Sequence, residues 1–155
     1  MEYGERVLLS PYPVSYEQFG YSLYQDKGLL LVGAPSTPFS GTGTVYSYQV
    51  STASNTVSLT YNTAYRAPLV SSTGTEWGHA ISGSDGIVVI SAPGWNTSTG
   101  YISVFTGTST ATYQTIISPF GKFSKFGEDV KVSPDGDYIF VAAPNARNTD
   151  QSYGK

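Results

Sequence analysis

Leu29–Tyr48, LLLVGAPSTPFSGTGTVYSY, is the stretch on which the reading of the chain turns. Apolar residues lead into Gly33-Ala34-Pro35; a small polar loop, Gly43 and an alternating Val/Tyr segment follow. Alone, this is strand, loop and strand. Its weight comes from recurrence: IVVISAP (87–93) precedes Gly100 and YISVF, and YIFVAAP (138–144) precedes Gly154-Lys155. Internal repetition outranks local propensity, because it sets the architecture.

An aromatic-Gly pair stands upstream in every copy: Phe19-Gly20, Trp77-Gly78 and Phe126-Gly127. The distance from the aromatic to the Ala-Pro proline is 16, 16 and 18 residues, and the two extra residues fall in a turn, where insertion is tolerated. The first strand is expected to begin at the aromatic-Gly, as FGYSLY, WGHAIS and FGEDVKV. The turns after it contain Lys27-Gly28, Asp85-Gly86 and Asp135-Gly136, residues suited to the positive φ of tight hairpins. The second strand is the apolar run, expected to be buried on both faces at Leu29–Val32, Ile87–Ile90 and Tyr138–Val141. A third strand alternates after its glycine, and a fourth follows at 56–65 and 111–118. ERVLLSPYP resembles YQTIISPF and predicts an outer strand ahead of Phe19. Four antiparallel strands per unit of about 50 residues is the spacing of a propeller blade.

Composition agrees. The 155 residues include 17 Gly, 9 Pro and 13 Tyr, with only 12% charged, and no helical apolar stripe appears. A net charge of −3 without a basic patch argues against nucleic acid as a partner. No apolar run reaches the length of a membrane span. The absence of Cys excludes disulfides and thiol chemistry.

The aromatic-Gly and Gly-Ala-Pro marks resemble the FG-GAP repeat of integrin-α-type β-propellers. The resemblance implies an all-β fold of radial four-stranded blades, here an incomplete ring of about two and a half. Residues 1–18 are an outer strand and connection, 19–76 blade one, 77–125 blade two and 126–155 a partial third. It also implies ligand recognition or adhesion at an extracellular, cell or virion surface. Many members hold calcium in the first hairpin. The turns here lack the spaced oxygen ligands calcium prefers, so no cofactor is expected. Asp135 with Asp137 is the only pair suited even to a weak ion.

In such a blade the aromatics Phe19, Trp77 and Phe126 are expected to wedge between sheets, with the following glycine letting backbones approach. Chemistry finds little support. His79 is the sole histidine, placed in a strand without evident catalytic partners. Glu128 and Asp129 point to opposite faces if extended. Glu17 and Glu76, just ahead of their aromatic-Gly pairs, resemble one repeat position. Asn96-Thr97-Ser98 fits a glycosylation sequon, a pattern frequent by chance. No catalytic residue is assigned.

The loops 36–43, 94–100 and 145–154 should share a face with the connections 11–18, 69–76 and 120–125. This face gathers Tyr12, Tyr16, Phe39, Trp95, Phe120, Phe123 and Tyr153 near Arg147, Lys122 and Lys125. Rings among Ser, Thr and Asn suit protein or carbohydrate contact. Phe39, Trp95 and Arg147 are the expected ligand contacts. The leading expectation is a recognition or adhesion module. The alternative is a structural component of a larger assembly, such as a virion or phage tail. Two and a half blades do not close a ring, so the rest of a longer propeller is the leading expectation, with self-assembly or a stable short array as the alternatives.

Overall fold

The computed structural model describes residues 7–36, 42–53, 56–70, 74–106 and 113–147. The fold is all-β and antiparallel. Sheet 1 is the meander β1 (Ser22–Asp26), β2 (Leu29–Ala34), β3 (Thr44–Ala53) and β4 (Thr56–Arg66). Sheet 2 repeats that order with β5 (Ile81–Ser84), β6 (Ile87–Ala92), β7 (Tyr101–Thr106) and β8 (Tyr113–Ile117). Sheet 3 pairs β9 (Val130–Val132) with β10 (Ile139–Val141). No helix among the described residues is long and apolar enough to cross a membrane.

Hairpin chemistry sets the register. Lys27 and Gly28 take φ of 43° and 79°, and Asp85 and Gly86 take 48° and 80°. Positive φ at both loop residues matches the right-handed twist of the flanking strands, closing Asp26 against Leu29 and Ser84 against Ile87. Lysine is the poorer choice for that conformation. Lys27→Asn is therefore expected to stabilise the fold by roughly 0.5–1 kcal/mol, read from the shift in urea midpoint.

The sheets stack face to face in chain order. Leu31 and Val45 of sheet 1 meet Ile81, Ile90, Tyr101 and Phe105 of sheet 2, with Trp77 between them. On the other side of sheet 2, Val89 and Ile102 meet Phe126, Val130 and Ala143. Adjacent residues of β6 thus serve opposite junctions, which is why the run is apolar at every position instead of every second one.

The recurring marks are bonded to one another. The Gly20 N–H donates to the Gly33 carbonyl at 3.0 Å, Gly78 to Ser91 at 3.0 Å, and Gly127 to Ala142 at 2.9 Å. In each copy the glycine after the aromatic therefore reaches the residue just before Ala-Pro. Backbone signs recur too. The residue before the aromatic has positive φ in all three copies (Gln18 58°, Glu76 57°, Lys125 53°), as does the residue three before it (Tyr16, Gly74, Phe123).

Four expectations need correction. The first strands start three or four residues beyond the aromatic, because the positive φ of Gly20, Gly78 and Gly127 interrupts extended backbone. Residues 7–10 form no strand: the sheet whose edge they would join has no other strand in the described chain, and Leu8 instead packs on the outer face of sheet 1. Tyr138 and Phe140 are 64% and 61% exposed, because nothing described covers that face of sheet 3. Phe19 is only half-buried, against Tyr46 and Tyr48, whereas Trp77 and Phe126 are 0% and 8% exposed between two sheets.

Candidate functional site

The described parts of the loops after Ala-Pro and of the connections before each aromatic lie at one end of the stack, away from the β1–β2 and β5–β6 hairpins. Backbone hydrogen bonds lace them together. The Ser36 N–H donates to the Glu17 carbonyl at 3.3 Å, and Asn145 donates to Ser124 at 3.3 Å. Trp77 donates to Thr42 at 2.9 Å, and Phe126 to Thr99 at 3.3 Å. Each connection is thereby tied to the loop of the preceding sheet or of its own.

Two glycines make this lacing possible. A Cβ on Gly43 would stand 2.2 Å from the Trp77 carbonyl oxygen, and one on Gly100 would stand 2.1 Å from that of Phe126. The glycine opening each third strand thus lies against the backbone of the next aromatic, and Gly43 and Trp77 form a parallel bridge.

The most unusual backbone lies in the loop 94–100. Asn96, Thr97 and Ser98 have φ of 49°, 60° and 55°, consecutive left-handed residues without a glycine among them. Such residues cost about 1–2 kcal/mol each. The neighbouring connection holds the turn in place. Phe123 donates to the Thr97 carbonyl at 3.1 Å, Lys125 to Ser98 at 2.9 Å, and the buried Ser124 hydroxyl to Thr99 at 2.9 Å. Within the turn, the Gly100 N–H closes on the Trp95 carbonyl at 3.1 Å. Strain held by its surroundings is characteristic of functional loops. Asn tolerates this conformation, but nothing in Thr97-Ser98 announced it, and the three residues read only as a sequon.

The expected contact residues separate. Trp95 is half-buried, edge-on to Tyr101 at 5.6 Å, and packs into the junction of sheets 1 and 2. Arg147 is exposed, two residues beyond the Asn145 that is bonded to Ser124. Trp95 and Arg147 therefore sit on loops that flank the same connection, 120–126, from opposite sides. Phe39 lies outside the described residues, as does Tyr153. Phe123 is 63% and Tyr16 88% exposed on this end, and Phe120 packs on Phe126.

His79 lies in a bend ahead of β5 rather than in a strand. Its ring is 4.9 Å from that of Tyr21, and its Nδ1 is 3.9 Å from Glu76. Glu17 and Glu76 are not equivalent: Glu17 is two residues before its aromatic and buried, Glu76 one before and half-buried. The Tyr46 hydroxyl donates to Glu17 at 3.3 Å. At the opposite end, Asp135 accepts from the Ser133 hydroxyl and from the Asp137 N–H, and these bonds hold its carboxyl below the usual range. The carboxylate thus serves a turn. Among the described residues no group of three or more acidic or His side chains is placed to hold a metal.

Burial, with Tyr46, Tyr61 and Glu17 nearby, pushes the Tyr48 hydroxyl up to about 12, and burial also raises Tyr101. The unfolded chain releases these protons near pH 10 while the folded protein retains them. Stability is therefore complete below pH 10 and declines as pH climbs toward 12. Tyr48→Phe is expected to flatten that decline, measured by urea unfolding at stepped alkaline pH.

No protein-family model matches the chain, and none of the curated proteins matches it either.

Proposed function

We propose that the chain is a non-enzymatic recognition or adhesion module that binds protein or carbohydrate through the loop end of its sheet stack. The observation that carries this reading is the Asn96-Thr97-Ser98 turn, three left-handed residues held by bonds from the 120–126 connection. A surface so constrained loses little conformational entropy on binding. Exposed Phe123 and Tyr16 give it aromatic area among small polar residues. In this reading the sheets are blades of an FG-GAP-type β-propeller without its calcium loops. The three aromatic-Gly to Ala-Pro bonds support that relationship. The setting is an extracellular, cell or virion surface. Phe39, Trp95 and Arg147 are the proposed contacts, with Arg147 the best placed of the described pair because Trp95 also serves the core.

The test is a glycan array and a panel of immobilised surface proteins probed with the folded chain. Arg147→Ala and Phe123→Ser should each weaken binding by about tenfold, equal to roughly 1.4 kcal/mol, with the urea midpoint unchanged. Absence of any specific ligand, or binding indifferent to both changes, would remove the reading. The alternative, a structural component of a virion or phage tail, draws on different surfaces: the exposed apolar residues Leu23, Tyr138 and Phe140 on the end faces of the stack.

A further inference from the structure

Among the described residues an apolar patch stays open at each end of the stack, and the two patches lie at positions that pair in a junction the chain builds twice. Equivalent positions follow from counting along the copies. Four residues after the aromatic stand Leu23, Ile81 and Val130. Ile81 is 7% exposed against sheet 1 and Val130 1% exposed against sheet 2, yet Leu23, with no described sheet before it, is 62% exposed. Four residues before the Ala-Pro proline stand Leu31, Val89 and Phe140, which face the following sheet. Leu31 and Val89 are 2% and 0% exposed, Phe140 61%. Six before that proline, Leu29 and Ile87 pack into their junctions while Tyr138 is 64% exposed.

The glycines report the same vacancy. A Cβ on Gly78 would stand 2.8 Å from Val45 Cγ2, and one on Gly127 would stand 3.0 Å from Ser91 Cβ, so both touch the preceding sheet. Gly20 has the same φ of +89° as Gly78 but nothing within 4 Å. The end of sheet 1 thus keeps the clearance that a neighbouring sheet requires inside the stack. Residues 7–14 do not block it. They lie over β3 and β4, where Tyr48 donates to the Leu9 carbonyl and Tyr12 meets Tyr61 edge-on at 6.0 Å. Val32 and Ala34 of β2 are buried with them, and what stays open is the β1 edge at Leu23, with Leu30 half-buried beside it.

We propose that a second copy of this chain fills these faces head to tail. Sheet 1 of one copy, through Leu23 and the half-buried Leu30 next to it, docks on sheet 3 of another, through Tyr138 and Phe140. The occupant is a copy because one chain carries both halves, placed at the positions that pair in its two internal junctions. Each ring covered removes about 150–250 Å² from water. Lys131 stands where Ser82 stands in the inner junction, and a chain of its length lets the ammonium reach the rim. Such an interface uses different patches on the two partners, so it builds a ring or a filament rather than a two-fold dimer. It is independent of the loop-end reading, which concerns other surfaces.

Sedimentation velocity across a concentration series tests it. The wild-type chain should pass from its monomer mass of 16.6 kDa to larger species as concentration rises. Leu23→Asp and Phe140→Asp, both at exposed positions and checked for unchanged circular dichroism, should each stay monomeric. A buried unpaired carboxylate weakens such contacts by about 100-fold or more. Mixed together, the two variants should form a 1:1 complex, because each retains the half the other lacks. A wild-type chain that remains monomeric would overturn the proposal and leave the faces to a different partner. Self-association surviving in either single variant, or failure of the mixture to pair, would overturn it as well.

Discussion

Gly100→Ala is expected to lower the unfolding free energy by about 3–5 kcal/mol, against about 1–2 kcal/mol for Gly86→Ala. The two glycines have nearly the same backbone, φ of 82° and 80°, so any L residue meets similar conformational strain at either site. Their surroundings differ. A Cβ at Gly86 finds nothing within 4 Å, while one at Gly100 meets the Phe126 carbonyl oxygen at 2.1 Å and its amide nitrogen at 2.9 Å. Backbone cannot swing aside as a flexible side chain does, so β7 and the 126–127 segment must move apart. That movement would disturb the packing of Phe126 on sheet 2. Against a typical domain stability of about 5–15 kcal/mol, the loss would leave a substantial unfolded fraction. Chemical denaturation of the two variants side by side separates clash from strain. Equal losses would show that the glycines serve only their φ.

The second large effect concerns the aromatics. Trp77→Ala should cost about 3–5 kcal/mol, and Phe19→Ala about 1–2 kcal/mol, although the two occupy the same place in successive copies. Trp77 is fully buried, stacked on Tyr101 at 5.9 Å and edge-on to Phe105 at 6.3 Å, and its indole N–H donates to the Tyr65 carbonyl at 3.3 Å. Truncation opens a cavity between two sheets that cannot both collapse inward, and it leaves the Tyr65 carbonyl without that donor. Phe19 has Tyr46 on one side and no described sheet on the other, so water already reaches it and less is lost. Urea unfolding monitored by circular dichroism provides both numbers. A Phe19 loss as large as that of Trp77 would mean that its ring is as fully covered in solution.

Much of the architecture was legible because each mark has a local physical reason. Asp85-Gly86 closes a hairpin in any context. The uninterrupted IVVI run requires apolar cover on both sides. Gly43 and Gly100 were legible only as marks opening a third strand; their place against the next aromatic's backbone came from the structure. Loops 94–100 and 120–125 were rightly grouped, since the order of four antiparallel strands dictates which turns share an end. The half-burial of Trp95 against Tyr101 was not legible, because its loop resembles a surface loop in composition. The left-handed Thr97 and Ser98 were invisible for a related reason. Their conformation is set by donors from Phe123 and Lys125, about 26 residues away.

From the amino-acid order alone came the antiparallel strands, the hairpin registers and the identity of the residues that can face a neighbouring sheet, because turn chemistry and alternation act over a few residues. Only the tertiary arrangement decided which of those residues are in fact covered. Leu23, Ile81 and Val130 hold one position in three copies, yet burial divides them, since it depends on the presence of a sheet on the far side rather than on the residue itself.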